Sequence, residues 1–163
     1  MSENKINVAI VMGSKSDWET MKNCALLLKE FNIKSEHRVL SAHRTPNELM
    51  TWLDELKQRE CDVIIAAAGL AAHLGGVVAS HSLMPVIGVP MDAGSLQGMD
   101  ALLSMVQMPP GIPVAVMGIG KPGAINAALF AIQILSIKDP SLTTKLIAYR
   151  KAQAEKVLNE KLD

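Results

Sequence analysis

Short apolar segments alternate with segments of helical periodicity from one end of the chain to the other, and no other feature constrains the fold as strongly. Five segments have the length and apolar content of buried strands, at 6–12, 33–40, 62–68, 85–89 and 112–117. Helices are expected from residue 16, from residue 45, and at 71–82, 99–106, 124–135 and 139–158. Nearly continuous apolar runs are typical of strands buried on both faces of a parallel sheet. The alternation therefore predicts right-handed strand–helix–strand units.

The strand order is suggested by the position of the polar residues. The segment 33–40 is more polar than the other four, which favours a place near an edge of the sheet. We expect a flavodoxin-like α/β three-layer sandwich, a five-stranded parallel sheet of order 2-1-3-4-5 with an added C-terminal helix. Ligands of such sheets bind outside the carboxyl ends of the strands. The loops after the first three strands are therefore where a site is expected.

The composition excludes several classes of protein. Sixteen Lys and Arg balance sixteen Asp and Glu, and the aromatic residues are two Trp, one Tyr and two Phe. Neither the basic surface of a nucleic-acid-binding protein nor a base-stacking platform is therefore expected. The polar N-terminus is unlike a signal peptide, no run of 18 apolar residues occurs, and the two cysteines form no metal or redox motif. These features predict a cytoplasmic protein without a membrane partner.

The chain is expected to form a single domain over 1–163, with subunit contacts. Apolar residues make up 49% of it, which is high for a monomer of this length. The segment 139–161 is expected to be a helix that follows a complete α/β core and contributes to oligomer contacts. The apolar residues considered available for those contacts are Leu142, Leu146, Tyr149, Val157 and Leu158.

The loop after the first strand, residues 13–17, has the makeup of an anion site. Gly13, Ser14 and Ser16 offer a flexible backbone, two hydroxyls and free N–H groups at a helix start. Asp17 suits ribose hydroxyls better than a phosphate. The alternative is a purely structural role, in which Ser16 is the N-cap and Glu19 reaches back to complete a capping box.

The loop after the second strand, residues 41–46, carries the strongest local signal. His43 and Arg44 lie side by side there, and they combine a proton-transfer group with an anion clamp. A second helix start follows at once, in which Thr45 and Glu48 could form a capping box around a proline at the first helical position.

The loop after the third strand, residues 69–76, is rich in small residues. It allows backbone to come close to a ligand, and His73 is expected in the first turn of the next helix. Close helix–sheet packing would require small residues as well, so this loop alone does not indicate a site.

Several other motifs do not fit this sequence. Residues 118–123 match G-x-G-x-x-G, but they follow the last strand, so helix–sheet packing or a subunit contact is the better interpretation. There is no P-loop, no zinc-ligand spacing among the four histidines and no nucleophile elbow. Dinucleotide binding, a zinc site and α/β-hydrolase chemistry are therefore not predicted.

Taken in order and spacing, the loop motifs resemble those of the class I N5-carboxyaminoimidazole ribonucleotide mutases of de novo purine biosynthesis. The resemblance covers essentially the whole chain. It rests on MGSKSDW at 12–18, SAHRTP at 41–46, AAHL at 71–74, IGVP at 87–90, VQMP at 106–109, GIP at 111–113 and IGK at 119–121.

This resemblance implies an isomerase that moves a carboxylate from the exocyclic nitrogen of an aminoimidazole ribonucleotide to ring carbon C4, without cofactor or metal. It implies that His43 is the general acid and base. It also implies a homo-octamer. The molecule it binds is expected to be a small-molecule ribonucleotide substrate. The residues expected to contact substrate are Ser14, Asp17, Arg44, Ser16, Ser41, Gly69, Ala72, His73 and Leu74.

The chemistry of histidine agrees with that role. A carbamate loses carbon dioxide when a proton is delivered to it, and the same group must later remove the proton from C4. An unperturbed histidine, with a pKa of about 6.5, is suited to both steps. Carbon dioxide must stay trapped between them, which favours a tight pocket lined by small residues such as Ala71 and Ala72.

The sequence departs from the family's usual pattern at four positions, Leu70, Gly75, Asp92 and Pro122, where glycine, proline, glutamine and alanine are expected. These changes bear on the shape of the third loop. Two alternative functions stay open. One is a carboxylase that uses free carbon dioxide on the same scaffold. The other is a non-enzymatic nucleotide- or flavin-binding module, which is disfavoured because the three loops contain no aromatic residue.

Overall fold

The five apolar segments form the strands of one parallel sheet. The computed structural model describes residues 5–71 and 73–162. The strands are β1 Val8–Met12, β2 Ser35–Val39, β3 Val63–Ala68, β4 Val86–Pro90 and β5 Ala115–Val116. The helices are α1 Trp18–Glu30, α2 Pro46–Gln58, α3 Leu74–His81, α4 Met99–Val106, α5 Gly120–Ser136 and α6 Pro140–Leu158. The sheet order is β2-β1-β3-β4-β5, which confirms the expected flavodoxin-like sandwich.

Alternate residues of the central strands build two separate core layers. Val8, Ile10 and Met12 of β1 pack with residues of α1, α5 and α6 on one face. Ala9 and Val11 pack with residues of α2, α3 and α4 on the other. Because both faces of β1 are covered, every residue of the strand is apolar and buried. This burial explains the uninterrupted apolar run in the sequence.

The strand β2 lies at the edge of the sheet, as its polarity predicted. It pairs with β1 alone, and its residues are half-buried or exposed. Met12 at the end of β1 is in register with Val39 on one side and with Ala67 on the other. The carboxyl ends of β1, β2 and β3 therefore lie side by side. We call the segments that follow them loop 1 (residues 13–17), loop 2 (residues 40–45) and loop 3 (residues 69–73).

Among the later helices, α3 and α5 begin at positions other than those expected. The helix α3 begins at Leu74 rather than at residue 71, because Leu70 adopts a left-handed backbone with φ of 59°. The helix α5 begins at Gly120 rather than at residue 124. Pro122 falls in its first turn, where a missing N–H leaves no helical hydrogen bond unmade.

The last helix packs onto the core by its first half. Asp139 caps α6 by accepting a hydrogen bond from the N–H of Ser141 at 3.0 Å, and the helix begins where expected. Leu142 and Leu146 are buried in the core layer shared with α1 and α5. The expectation that these two leucines are free for subunit contacts is therefore wrong. Val157 and Leu158 remain 66% and 82% exposed.

None of the helices in the described part of the chain is both long enough and apolar enough to cross a lipid bilayer.

Candidate functional site

Loop 1 folds into a short 3-10 turn, Lys15–Asp17, that Ser14 caps. The Ser14 hydroxyl oxygen accepts a hydrogen bond from the N–H of Ser16 at 3.3 Å. In return, the Asp17 carboxylate accepts one from the N–H of Ser14 at 3.2 Å. The capping box is therefore formed by Ser14 and Asp17. The predicted box of Ser16 and Glu19 is wrong, because the extra turn moves the start of α1 to Trp18.

Asp17 is the buried acid of this loop, with only 8% of its surface exposed. Burial raises the pKa of its carboxyl above the usual value, and hydrogen bonds from Ser14 and Ser16 oppose that rise. The Ser16 hydroxyl lies 2.9 Å from the Ser14 hydroxyl and donates to it, which leaves the Ser14 O–H free to donate outward. Loop 1 thus offers a hydroxyl donor beside a carboxylate acceptor.

Loop 2 is a turn built on the side chain of Ser41. Its hydroxyl oxygen accepts hydrogen bonds from the backbone N–H groups of His43 at 3.3 Å and Arg44 at 3.2 Å. The Thr45 hydroxyl accepts from the N–H of Ser41 at 2.8 Å instead of capping α2. The expected capping box of Thr45 and Glu48 is therefore not formed, although Pro46 does occupy the first helical position.

A side chain of loop 2 reaches across to loop 1. The Arg44 guanidinium donates from Nη2 to the carbonyl oxygen of Gly13 at 2.7 Å, and its Nε lies 3.4 Å from the Ser41 hydroxyl. The remaining guanidinium N–H groups are available to an anion. His43 precedes Arg44, is exposed, and its imidazole makes no hydrogen bond to any residue that the structure describes.

Loop 3 packs tightly against the segment 91–98 that follows β4. A Cβ atom added to Gly69 would come within 2.9 Å of the Ala93 side chain, and one added to Gly94 would come within 2.6 Å of Leu70. Both Leu70, with φ of 59°, and Gly94, with φ of 70°, lie in the left-handed region. Leu70 thus occupies a conformation that favours glycine, the residue expected there.

The other predicted site residues that follow β3 differ in how far they are exposed. His73 is the N-cap residue of α3 and is half-buried, so the expectation that it lies in the first helical turn is off by one position. Leu74 is buried in the core below it. Ala71 is exposed, so a single chain does not form the tight pocket that was expected. Ala72 lies outside the described residues.

Loops 1 and 2 bring together groups suited to bind a phosphorylated sugar. Arg44 and the Ser14 hydroxyl can donate to a phosphate, and the Asp17 carboxylate can accept from sugar hydroxyls. The imidazole of His43 can hold or release a proton beside them. Within residues 5–71 and 73–162, no cluster of three His, Cys, Asp or Glu side chains is arranged to hold a metal ion.

A cavity of about 940 Å³ lies at the amino-terminal ends of β4 and β5, on the side of the sheet away from the three loops. Its walls are the ends of α2 and α3, the starts of β4 and β5, and Phe130 and Ile134 of α5, and none of the predicted site residues lines it. This cavity is therefore separate from the three loops.

The glycine-rich segment 118–123 has a local packing role. A Cβ atom on Gly123 would overlap the carbonyl group of Gly118, so the turn closes on itself only when residue 123 is glycine. The contact lies within the turn at the start of α5, and the expected helix–sheet packing or subunit contact stays a prediction. Sequence reasoning missed the contact of segment 91–98 with loop 3. The glycines at 94 and 98, both with positive φ, were the available signal.

Comparison with known proteins gives a consistent result. The model of the AIR carboxylase family matches residues 7–156. The chain is 50% identical to an N5-carboxyaminoimidazole ribonucleotide mutase of Escherichia coli strain K12 over 155 residues, which covers 95% of this chain and 92% of the relative. It is 51% identical to the mutase of the same name from Bacillus subtilis strain 168 over 151 residues, covering 93% of each chain.

Solved structures agree with these sequence relatives. The crystal structure of Treponema denticola PurE superposes with a TM-score of 0.85 at 30% identity, covering 94% of this chain and 95% of that one.

Proposed function

The chain belongs to the AIR carboxylase family, and on that premise we propose that it converts N5-carboxyaminoimidazole ribonucleotide into 4-carboxy-5-aminoimidazole ribonucleotide. The relatives at about half identity carry the name of this mutase, an isomerase of purine biosynthesis. Their similarity extends over more than nine tenths of the chain and includes the residues of all three loops.

We propose that His43 carries the proton through both halves of the reaction. The protonated imidazole delivers its proton to the exocyclic nitrogen, the N–C bond of the carbamate breaks, and carbon dioxide and the free amine result. Ring carbon C4 then attacks carbon dioxide and forms a C–C bond. The neutral imidazole removes the proton from C4, which restores the aromatic ring and the protonated histidine. No proton is gained or lost overall.

The ribonucleotide would be held by loop 1 and by the residue after His43. The Arg44 guanidinium and the Ser14 hydroxyl would bind the phosphate, and Asp17 the ribose hydroxyls, with Ser16, Ser41, Gly69, Ala72, His73 and Leu74 completing the contacts. The observation that supports this assignment best is the hydrogen bond from Arg44 to the Gly13 carbonyl oxygen. It fixes loop 2 against loop 1, so the proposed phosphate ligands lie next to the proposed acid and base.

The description of the matching family favours one alternative, a carboxylase that joins free carbon dioxide to aminoimidazole ribonucleotide. An isotope experiment separates the two. Substrate labelled with ¹³C in the carbamate is converted in unlabelled bicarbonate with carbonic anhydrase present. We expect the product to keep the label, since carbon dioxide passes directly between the two half-reactions. Loss of the label, together with turnover of aminoimidazole ribonucleotide plus bicarbonate alone, would establish the carboxylase.

We also propose that the enzyme is a cytoplasmic homo-octamer. His43 and Ala71 are exposed in a single chain, whereas a trapped carbon dioxide requires an enclosed site. The exposed Val157 and Leu158 at the end of α6 offer apolar surface for a neighbouring chain. Light scattering at micromolar concentration tests the assembly, and a mass of 17.5 kDa would contradict it.

A further inference from the structure

The imidazole ring of His73 lies on a glycine one helical turn further along α3. Three of its ring atoms, Nε2, Cε1 and Cδ2, occupy the space that a Cβ atom on Gly76 would need. All three are closer to that position than the 3.0 Å that real Cβ atoms keep from their neighbours. Residues three apart on a helix face each other, so the ring leans toward the C-terminal end of α3 and rests on the Gly76 backbone.

Little else determines where this ring lies. The His73 backbone is held, because its carbonyl oxygen accepts a hydrogen bond from the N–H of Val77 at 3.0 Å. The imidazole itself makes no hydrogen bond with any residue in 5–71 or 74–162. The direction of the ring is therefore set by the space above Gly76, and that space exists only because residue 76 has no side chain.

We propose that Gly76 is a positioning residue, which holds the His73 imidazole at the edge of the substrate site. The inference rests on the proposed function only in taking His73 as a substrate contact. Any side chain at position 76 displaces the ring from its place on the Gly76 backbone. Ring displacement then weakens ribonucleotide binding without changing the proton chemistry at His43.

The neighbouring glycine provides a matched control. A Cβ atom on Gly75 would meet the Val114 side chain at 3.7 Å and the Ala66 side chain at 3.9 Å, which are ordinary contacts. Gly75 and Gly76 are both buried within α3. Both positions lie in the first turn of α3, so alanine brings a comparable change in helix propensity at each. A difference between the two variants therefore reports the ring and not the helix.

The experiment compares the full-length variants Gly76→Ala, Gly75→Ala, His73→Ala and the double variant His73→Ala/Gly76→Ala. The imidazole Cε1–H signal of His73, assigned by its loss in His73→Ala, is followed in [¹³C]histidine-labelled protein. The dissociation constant of 4-carboxy-5-aminoimidazole ribonucleotide is measured by calorimetry. We expect Gly76→Ala to shift the His73 signal and to weaken binding about tenfold, the usual size of coupling between touching residues. Gly75→Ala should do neither.

The double variant decides the cause. Once the ring is gone, alanine at position 76 has nothing to displace, so the double variant should bind as His73→Ala does. It should also fold if Gly76→Ala alone does not. The proposal would be overturned if the His73 signal did not move in Gly76→Ala. It would also be overturned if Gly76→Ala lost the same affinity in the wild-type and in the His73→Ala background. The signal is read without ligand, so a wild-type protein that fails to bind the ribonucleotide rejects the proposed function and leaves the positioning test intact.

Discussion

Arg44 donates a hydrogen bond from Nη2 to the carbonyl oxygen of Gly13 at 2.7 Å, and this contact joins two loops that lie 31 residues apart in the chain. The guanidinium is held by this bond and by the contact of its Nε with the Ser41 hydroxyl at 3.4 Å, and its remaining N–H groups are available to a ligand. A planar donor held in this way can meet a phosphate with two parallel hydrogen bonds. Each of the two loops also has internal hydrogen bonds, so their donor groups are preorganised before a ligand binds.

Replacing Arg44 by alanine should weaken binding of the product ribonucleotide by about 2–4 kcal/mol, the cost of losing a charged contact. That loss corresponds to a factor of about 30 to about 1,000 in the dissociation constant. Arg44→Lys keeps the charge without the planar guanidinium. Its affinity for the product ribonucleotide should therefore lie between that of the wild type and that of Arg44→Ala. Calorimetry measures all three proteins. A dissociation constant of Arg44→Ala equal to that of the wild type would show that Arg44 is not a phosphate ligand.

Replacing His43 by asparagine should abolish proton transfer and leave binding nearly unchanged. Asparagine is similar in size and can form hydrogen bonds, but it cannot carry a proton to and from carbon. The rate should fall at least about 10²-fold, the lower range for loss of a general acid or base. Proton exchange at C4 of the bound aminoimidazole should disappear as well. Near-normal turnover on fresh substrate, corrected for spontaneous decay, would contradict the mechanism. His73→Asn should cost less.

Replacing Asp17 by asparagine should change how stability depends on pH. Burial raises the folded-state pKa of Asp17 above the unfolded value of about 3.9. Its stabilising contribution is therefore fully present below that unfolded value and is lost as the pH rises through the folded-state pKa. The unfolding free energy of Asp17→Asn minus that of the wild type should increase over this range and then level off.

Urea unfolding at a series of pH values measures this difference. Every tenfold difference in proton affinity between the folded and unfolded states contributes about 1.4 kcal/mol to it. Parallel stability profiles for the two proteins would show that the Asp17 carboxyl is not perturbed by folding. The Ser14 capping contact should survive, since the asparagine oxygen can still accept from the Ser14 N–H.

The two thiols should be inert in the folded protein. Burial raises the pKa of Cys24 to about 12 and that of Cys61 to about 11. At pH 8 the thiolate fraction of Cys61 is then about 10⁻³, and the thiolate is the reactive form. An aromatic disulfide reagent should therefore label the native protein at least about 10²-fold more slowly than free cysteine. In urea both thiols should react at the normal rate. Cys61→Ser identifies which one reacts first, and rapid native labelling of either would contradict the expectation.

The strand order could be predicted because it rests on strong and redundant signals. Four apolar runs and one more polar run, separated by helices, are compatible with few parallel topologies, and the edge position of β2 follows from its polarity. The length of β5 could not be predicted in the same way. Residues 112–117 are all compatible with a strand, but only Ala115–Val116 pair with β4.

The candidate site was less predictable than the fold, because its contacts depend on register and on local turns. The neighbourhood of His43 and Arg44 can be read from the sequence. The contact of Arg44 with Gly13 cannot, since it requires β1 and β2 to end side by side. Likewise Ser14 and Ser16 are both suitable caps, and the extra 3-10 turn selects Ser14. The roles of these residues with substrate stay predictions.

The packing of α1 against α5 has a consequence for the order of events during synthesis. The helix α1 starts directly after Asp17, and much of its support is the helix Gly120–Ser136. A ribosome releases all three loops well before it releases α5. We therefore expect that a nascent chain whose residues 13–74 have already left the ribosome still lacks a stable ribonucleotide site. The site should form only when residue 136 has left the tunnel. Ligand binding by chains stalled before and after that point would show the difference.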